Sequence, residues 1–261
     1  MPASLLALKG ISKRFGAVQA LDGVDFEVDA GEVVGLVGDN GAGKSTLVKI
    51  IAGIDRPDHG EISLDGVPVT IRGPEDATRL GIATVYQDLA LADNLDVVAN
   101  LFLGREELSD GPARVTWQVD ETAMEHRSHQ LLEQFAVTIP SVRTEVAALS
   151  GGQRQQVAVA RSLLGEPKVV LLDEPTAALG VAQTAQVLLL IKQLREHGLG
   201  VMVISHNLAD VFEVADRVVV LRLGRPAGAF DVGRTTQDEV VAAITGAHLH
   251  ADDIPERGHG A

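Results

Sequence analysis

The sequence predicts an α/β fold with a mainly parallel central sheet, an N-terminal antiparallel β subdomain and an inserted α-helical subdomain. "EVVGLVG" (32–38) is a continuous apolar run, which is typical of a parallel strand buried on both faces. "EISLDGVPVTI" (61–71) contains two short strand patterns around Asp65-Gly66, a strong signal for an antiparallel hairpin. From about residue 88 to 160, helical patterns replace the β/α alternation, and this change indicates the insertion.

The N-terminal elements follow from hydrophobic periodicity and from the position of glycines. Val24, Phe26 and Val28 alternate with polar residues, as expected for a half-buried strand. After the apolar run, a helical pattern extends from Gly43 to Gly53, where glycine is suited to end a helix. These patterns place an antiparallel β section beside the start of the parallel core.

The insertion is predicted to contain two amphipathic helices, within "NLDVVANLFLG" and "DETAMEHRSHQLLEQFAV". The polar loop between them, which ends at Trp117, carries no chemistry that we can assign. The second helix has its apolar residues roughly on one face: Met124, Leu131, Leu132 and Phe135. The alternation then resumes with the strand patterns "KVVLLDE", "GVMVIS" and "DRVVVLRLG", separated by helices at about 181–197 and 207–215.

Composition limits the class of protein. With 261 residues, 46% of them hydrophobic, the chain can bury the core of one large α/β domain or two small ones. No apolar run approaches the roughly 18 residues of a membrane span, so we expect any work at a membrane to depend on a partner. "MPASLLALKG" lacks the layout of a signal peptide. The absence of cysteine excludes disulfides and cysteine-bound metals, and the formal charge of −14 disfavours a broad nucleic-acid surface.

A phosphate site is predicted at "GDNGAGKST" (38–46), which satisfies the pattern G-x-x-x-x-G-K-[ST]. Its glycines let backbone N–H groups converge on phosphate oxygens at a helix N-terminus. Lys44 would place its charge on the β- and γ-phosphates, and the Ser45 hydroxyl would coordinate Mg²⁺. The alternative is a glycine-rich turn without a ligand, but the strand before and the helix after are those that binding requires. We therefore predict a P-loop NTPase core that binds ATP and Mg²⁺ through Gly38, Asn40, Gly41, Ala42, Gly43, Lys44, Ser45 and Thr46.

The adjacent acids Asp173 and Glu174 end the apolar run of "VVLLDE", where a parallel sheet presents its carboxyl edge to ligands. Asp173 can hold Mg²⁺ opposite Ser45, directly or through water, and Glu174 can orient and polarise the attacking water. The alternative is a capping or surface acid after a buried strand. Because the same chain contains a P-loop, we predict that the pair is a hydrolysis site.

A third motif lies in "LSGGQRQQVAVARSLL" (149–164). Ser150 is expected to cap a helix whose Gly151-Gly152 backbone leaves N–H donors open at its positive end, although any helix can begin with Ser-Gly-Gly. The segment, including Gln153, resembles the signature motif of ABC ATPases, and the resemblance covers about residues 4–246. In that family the signature of one subunit completes the γ-phosphate site of the other. The resemblance therefore implies a head-to-tail homodimer with two shared ATP sites.

The remaining family motifs fall on single residues. Gln87 in "VYQD" resembles the Q-loop residue, which implies that it reaches Mg²⁺ and the attacking water and links the core to the helical insertion. His206 in "VISHN" resembles the switch residue, which implies that it senses the γ-phosphate and supports Glu174; a structural histidine is the alternative. Phe15 in "ISKRFGAV" falls where the family has an adenine-stacking aromatic, often Tyr, and the alternative is a loop aromatic packed on the core.

The resemblance also implies a division of the chain. We expect a single ABC ATPase domain over residues 1–246, with the β subdomain and P-loop core at 1–87 and 161–246 and the helical subdomain at 88–160. Residues 247–261 show no periodicity and are predicted to be a disordered tail.

Within the family, "GDNGAGKSTLVKIIAG" and "YQDLALADNLDVVANLFLGRE" are similar to the ATPases of bacterial monosaccharide importers. This implies an ATPase subunit that powers a sugar transporter from the cytoplasmic face of the cell membrane. Its partners would be separate transmembrane permease subunits and a solute-binding protein, with no nucleic acid. Many members of that branch carry two ATPase domains in one chain, whereas this chain has length for one.

Two other functions are compatible with the sequence. A soluble ABC ATPase of nucleic-acid repair or translation shares the core motifs, but such proteins usually carry long coiled coils, a second ATPase domain or basic arms, which this sequence lacks. The ATPase subunit of an importer or exporter for another substrate also shares them, and differs only in its partner.

Gly180 departs from the family pattern. ABC ATPases commonly end the stretch after the acid pair in Leu-Asp, and that acid reaches across the dimer; here "AALG" puts Gly180 in its place. The missing side chain either weakens communication between the two ATP sites or is a tolerated variation within the sugar-importer branch. The intact catalytic positions favour the second interpretation.

Overall fold

The computed structural model describes residues 4–109 and 118–247. The strands are β1 (Leu6–Phe15), β2 (Val18–Val28), β3 (Val33–Val37), β4 (His59–Leu64), β5 (Val67–Val69), β6 (Ile82–Val85), β7 (Val169–Asp173), β8 (Gly200–Ile204), β9 (Arg217–Arg222) and β10 (Arg225–Asp231). The helices are α1 (Lys44–Ile51), α2 (Pro74–Arg79), α3 (Val97–Phe102), α4 (Glu121–Gln134), α5 (Gly151–Leu163), α6 (Val181–Glu196), α7 (Leu208–Val214) and α8 (Gln237–Thr245). Trp117 and all but the first residue of the predicted tail lie outside the described residues.

The strands form two sheets. One is antiparallel, with the order β2-β1-β4-β5, and it includes the predicted hairpin around Asp65-Gly66. The other has the order β10-β9-β3-β8-β7-β6 and is parallel throughout except for β10, which pairs antiparallel with β9. The predicted α/β class, with a mainly parallel core and an N-terminal antiparallel sheet, is confirmed.

The larger sheet is covered on both faces. Every residue of β3 is buried. Val34 and Leu36 pack with α1 and the antiparallel sheet, whereas Val33 and Val37 pack with the helices on the opposite face. This two-sided burial explains why the strand reads as a continuous apolar run, since neither face can accept a polar side chain. The loop after β3 is thereby fixed at the carboxyl edge of the sheet.

Helices dominate the region between β6 and β7. It contains α3, α4, a short 3₁₀ turn at Val146–Ala148 and α5. In α4, Met124 and Leu132 are buried, as is Phe135 at its end, while Leu131 is partly buried against the same core. The predicted boundary at residue 160 falls within α5, which continues to Leu163. None of the helices in the described ranges combines the length and the apolar character that crossing a bilayer requires.

Candidate functional site

The loop between β3 and α1 requires glycine at both ends. Gly38 has a φ of +149°, and a Cβ there would lie 2.2 Å from the carbonyl oxygen of Leu221 in β9. Gly43 has a φ of +105°, and its Cβ would lie 2.7 Å from the carbonyl oxygen of Ala20 in β2. Only glycine combines this conformation with so close a backbone approach. The loop therefore lies directly against strands of both sheets.

The N-terminus of α1 is open to a ligand. Its N-cap, Gly43, makes no side-chain capping bond, and the first turn contains no acidic residue. The first N–H groups of a helix have no intrahelical partner and carry its positive dipole end, which suits an anion. Ser45 is exposed and Thr46 partly exposed in this turn, whereas Ala42 is buried. Ala42 is a structural member of the loop, because its carbonyl accepts the Gly224 N–H at 3.0 Å.

Lys44 lies between the loop and the acid pair. Its Nζ donates to the carbonyl oxygen of Gly38 at 2.5 Å and to that of Asp39 at 3.0 Å. Burial lowers the pKa of Lys44, while the negative charges of Glu174, Asp39 and Asp173 act in the opposite direction. The ammonium group is thus partly desolvated and has carboxylates on either side.

Asp173 is the last residue of β7, and Glu174 follows it with a φ of +50°. The N–H of Glu174 donates to the carbonyl of Ile204 in β8 at 2.9 Å, which fixes the bend. Burial raises the pKa of Asp173, Glu174 raises it further, and Lys44 lowers it. Two adjacent carboxylates therefore share a partly buried position where one lysine does not compensate both charges.

His206 follows β8 and meets Glu174. Its Nδ1 lies 2.8 Å from Oε2 of Glu174. The glutamate side chain is 17% exposed and the histidine side chain 74%, so the histidine lies on the solvent side of the carboxylate. A hydrogen bond from the ring would orient the carboxylate, and the second ring nitrogen would remain available to a ligand.

A single cleft of about 640 Å³ brings several of these groups together. Predicted residues on its wall are Gly38, Asn40, Gln87, Glu174 and His206. Its wall also includes residues that the sequence analysis did not single out: Asp39, Ser205, Leu208, Val241, Ile244 and Thr245. The last three belong to α8. Sequence signals for that helix are the spacing of Thr236 and Glu239, which form a capping box at its start, and Gly246 at its end.

Seven predicted residues adjoin this cleft along the chain without lining it: Gly41, Ala42, Gly43, Lys44, Ser45, Thr46 and Asp173. Two further groups of predicted residues lie outside it within one chain. Ser150 caps α5: its Oγ accepts the Gln153 N–H at 3.3 Å, and its own N–H donates to Gln153 Oε1 at 3.0 Å. Phe15, at the end of β1, is 46% exposed and is not packed in the core. The Lys13 Nζ lies 5.4 Å from the centre of its ring. Neither group lines the cleft.

The site defines a class of protein. A buried strand runs into a glycine-rich loop, a lysine begins the next helix, and an Asp-Glu pair stands at the end of a parallel strand with a histidine on the glutamate. These are the parts of a P-loop enzyme that hydrolyses a nucleoside triphosphate.

The particular family follows from comparison with known proteins. Residues 21–177 match the ABC transporter family, and the chain belongs to that family as an ATP-binding, ATP-hydrolysing component. It is similar to the dimeric structure of an ATP-binding cassette in a post-hydrolysis state with ADP and Pi. That similarity has a TM-score of 0.71 at 26% identity and covers 88% of this chain and all of the other.

Two relatives have about the length of this chain. The xylose/arabinose import ATP-binding protein of Sulfolobus acidocaldarius is 43% identical over 257 residues, covering 98% of this chain and 99% of the relative. The fructose import ATP-binding protein of Rhizobium meliloti is 46% identical over 245 residues, covering 93% of this chain and 94% of the relative. The predicted resemblance to sugar-import ATPases is confirmed.

Proposed function

We propose that this chain is the ATPase subunit of a monosaccharide importer and works as a homodimer at the cytoplasmic face of the cell membrane. The observation that carries the proposal is the cleft in which Glu174, held by His206, faces the loop of Gly38 and Asn40. The sugar-import names of the two relatives support the class of substrate.

Binding of ATP would rest on the loop and the start of α1. The open N–H groups there suit the β- and γ-phosphates, and Lys44 would exchange its carbonyl contacts for phosphate oxygens. Asn40, Gly41 and Thr46 belong to the same loop and first turn. The Phe15 ring would stack on adenine, because it is exposed and is not packed in the core.

The residues beside the loop also fit Mg²⁺. Burial raises the pKa of Asp173 and the neighbouring charge of Glu174 raises it further, and a cation at this position would offset both effects. No group of three or more His, Cys, Asp or Glu in the described ranges is arranged to hold a metal by itself. Mg²⁺ commonly takes one or two carboxylates together with substrate phosphates, so Asp173, Ser45 and Gln87 form a suitable donor set. When bound, the ion would neutralise charge on the β- and γ-phosphates.

Hydrolysis would depend on the pair of Glu174 and His206. Glu174 would accept a hydrogen bond from water and direct it in line at the γ-phosphate. His206 would hold the glutamate through Nδ1 and reach the phosphate through Nε2. Lys44 would stabilise the charge on the leaving side. The chain's contribution is therefore orientation and charge compensation, with no covalent intermediate.

The homodimer would complete each site. Ser150, Gly151 and Gly152 lie outside the cleft of their own chain, at the N-terminus of the 13-residue helix α5. Such a helix end favours phosphate, and a twofold arrangement would place each signature against the partner's ATP. Gln153 would act indirectly, because its side chain is used in capping Ser150.

Transport would require permease subunits and a solute-binding protein. We propose that residues 88–160 form the helical subdomain that transmits closure of the dimer, with a hinge near Gln87. A groove beside that hinge is lined by Tyr86, Asp88, Arg105 and Arg161, among others. Arg161 donates to the carbonyl of Ala90 at 2.7 Å, so it connects α5 to the segment after Gln87. A permease segment bound in this groove would contact both the core and the helical subdomain, so movement of one relative to the other would reach the permease.

The test is Glu174→Gln in the full chain. We expect ATP turnover to be lost while MgATP converts the monomer to a dimer, measured by phosphate release and analytical ultracentrifugation. Glu166→Gln, at an exposed glutamate after α5, is the matched control and should hydrolyse ATP like the parent chain. If Glu174→Gln retains turnover, or forms no dimer with MgATP, the proposed roles are wrong.

The substrate requires a second experiment. The neighbouring permease and solute-binding genes would be expressed in cells together with this one, and membrane vesicles would be prepared from those cells. Uptake of radiolabelled xylose, ribose and fructose would then be measured with ATP on the side of the membrane that carries this subunit. Uptake of one sugar that disappears with Lys44→Ala supports the proposal. ATP-dependent export, or no association with membranes, would favour the other functions considered above.

A further inference from the structure

The N-termini of α5 and α6 meet at the two signature glycines. A Cβ added to Gly152 would lie 2.8 Å from Cβ of Gln183 and 3.2 Å from its Cγ. A Cβ added to Gly151 would lie 3.1 Å from Cδ2 of Leu179. The close approach of α6 therefore restricts position 152 to glycine, and Gln183 is the α6 residue in contact with Gly152, whereas Gly151 faces the end of the Leu179 side chain.

The amide of Gln183 makes a second contact. Its Oε1 accepts the N–H of Gly180 at 3.3 Å. Gly180 is the N-cap of α6 and has no side chain with which to cap the helix. Gln183 thus holds Gly180, the end of the segment that begins at Glu174, while its own Cβ and Cγ pack against Gly152.

The segment from Glu174 to Gly180 is itself compact. The N–H of Ala177 donates to the carbonyl of Glu174 at 3.1 Å, and that of Leu179 donates to the carbonyl of Thr176 at 3.3 Å. Thr176 is buried, and its hydroxyl donates to Asp210 in α7 at 2.6 Å. A shift of Glu174 would therefore move Gly180 and, through it, Gln183.

We propose that Gln183 is a positioning residue that couples Glu174 to the backbone N–H groups of Ser150, Gly151 and Gly152 in the same subunit. In the proposed homodimer, those N–H groups bind the ATP of the partner subunit. This inference rests on the proposed homodimer. Within a chain, Gln183 connects Gly180, at the end of the segment that begins at Glu174, to Gly152 by one hydrogen bond and one packing contact. Across the dimer, the same contact makes the second ATP site respond to the state of the first.

The test uses the full chain with Glu174→Gln, so that MgATP holds the dimer. Gln183→Met keeps the length of the side chain and removes its acceptor; we expect the MgATP-dependent dimer to weaken about tenfold, a typical size for coupling between sites. Affinity of the monomer for ATP should not change, since Gln183 does not line the cleft. Gln183→Glu restores an acceptor and should restore dimerisation.

Two controls separate coupling from a general effect on α6. Gln186 lies on the same helix but is exposed, so Gln186→Met should dimerise like the parent. A double-mutant cycle with Ser150→Ala should be non-additive for Gln183→Met and additive for Gln186→Met, because only Gln183 acts through the signature.

The outcomes are distinguishable. If Gln183→Met dimerises as tightly as Gln186→Met, or if its effect adds fully to that of Ser150→Ala, the coupling role is wrong while the proposed function stands. If the Glu174→Gln chain does not dimerise with MgATP at all, the homodimer and the coupling role both fail.

Discussion

His206 and Glu174 are hydrogen-bonded across the ends of two neighbouring parallel strands, with 2.8 Å between Nδ1 and Oε2. The pairing of β7 with β8 sets Asp173 beside Ile204, and each strand continues from there into its functional residue. The contact therefore follows from the register of the sheet, and it orients the carboxylate of Glu174.

The first prediction concerns this contact. His206→Ala removes the partner of Glu174, and we expect kcat for ATP hydrolysis to fall by about 10²- to 10⁴-fold, the usual contribution of a positioned acid or base. The affinity for ATP should change little, because in the proposed site the loop and α1 would supply most phosphate contacts. Phosphate release and equilibrium nucleotide binding measure the two quantities. His129→Ala, at an exposed position of α4, is the control. A loss of binding with unchanged kcat would contradict the assigned role.

The elements nearest the phosphate loop could be predicted from local sequence, and others could not. β3 is apolar because both of its faces are buried, and this burial appears in the sequence as a continuous apolar run. The backbone conformation of the loop requires glycine, and this requirement appears as the glycine spacing of the P-loop pattern. α2 and β6 were not predicted because they have 6 and 4 residues and too few positions to show periodicity. The α8 wall of the cleft and the contact of Gln183 with Gly152 arise from tertiary packing between distant segments, which periodicity does not encode.

The second prediction concerns the phosphate loop. Gly38→Ala places a Cβ 2.2 Å from the Leu221 carbonyl at a φ of +149°, so β9 or the loop must move. We expect a loss of more than about 2 kcal/mol in the free energy of unfolding, since strain and a steric clash act together. Urea denaturation measures it. Gly73→Ala is the control, because a Cβ there meets nothing within 4 Å. Equal stability of the two variants would contradict the packing described for the loop.

The third prediction concerns Asp173 and pH. Burial and Glu174 raise the pKa of Asp173 above its ordinary 3.8, so the folded chain binds this proton more readily than the unfolded chain. The contribution of this tighter proton binding to the free energy of unfolding is fully present below pH 3.8, and it is lost as the pH rises through the folded-state pKa of Asp173. Asp173→Asn has no charge to bury, so without nucleotide it should melt roughly 1–3 °C above the parent at pH 7. The difference should shrink as the pH is lowered.

Thermal denaturation at a series of pH values checks this, and MgATP provides the control. With saturating MgATP the order should reverse, because only the parent has the carboxylate that would hold the ion. A variant that melts below the parent at pH 7 without nucleotide would show that the carboxylate stabilises the free chain, against the prediction.

The last prediction concerns Gly180. Its φ of −77° is open to any residue, and a Cβ there meets nothing within 4 Å, so the backbone does not require glycine at this N-cap. Gly180→Asp should fold and gain a few tenths of a kcal/mol, because aspartate caps a helix slightly better than glycine. Since Gln183 already holds the Gly180 N–H, we expect the cooperativity of ATP hydrolysis to remain that of the parent. The Hill coefficient measures it, with Gly180→Ala as the control for the backbone. A marked change with aspartate alone would show that the missing side chain had weakened communication between the two ATP sites.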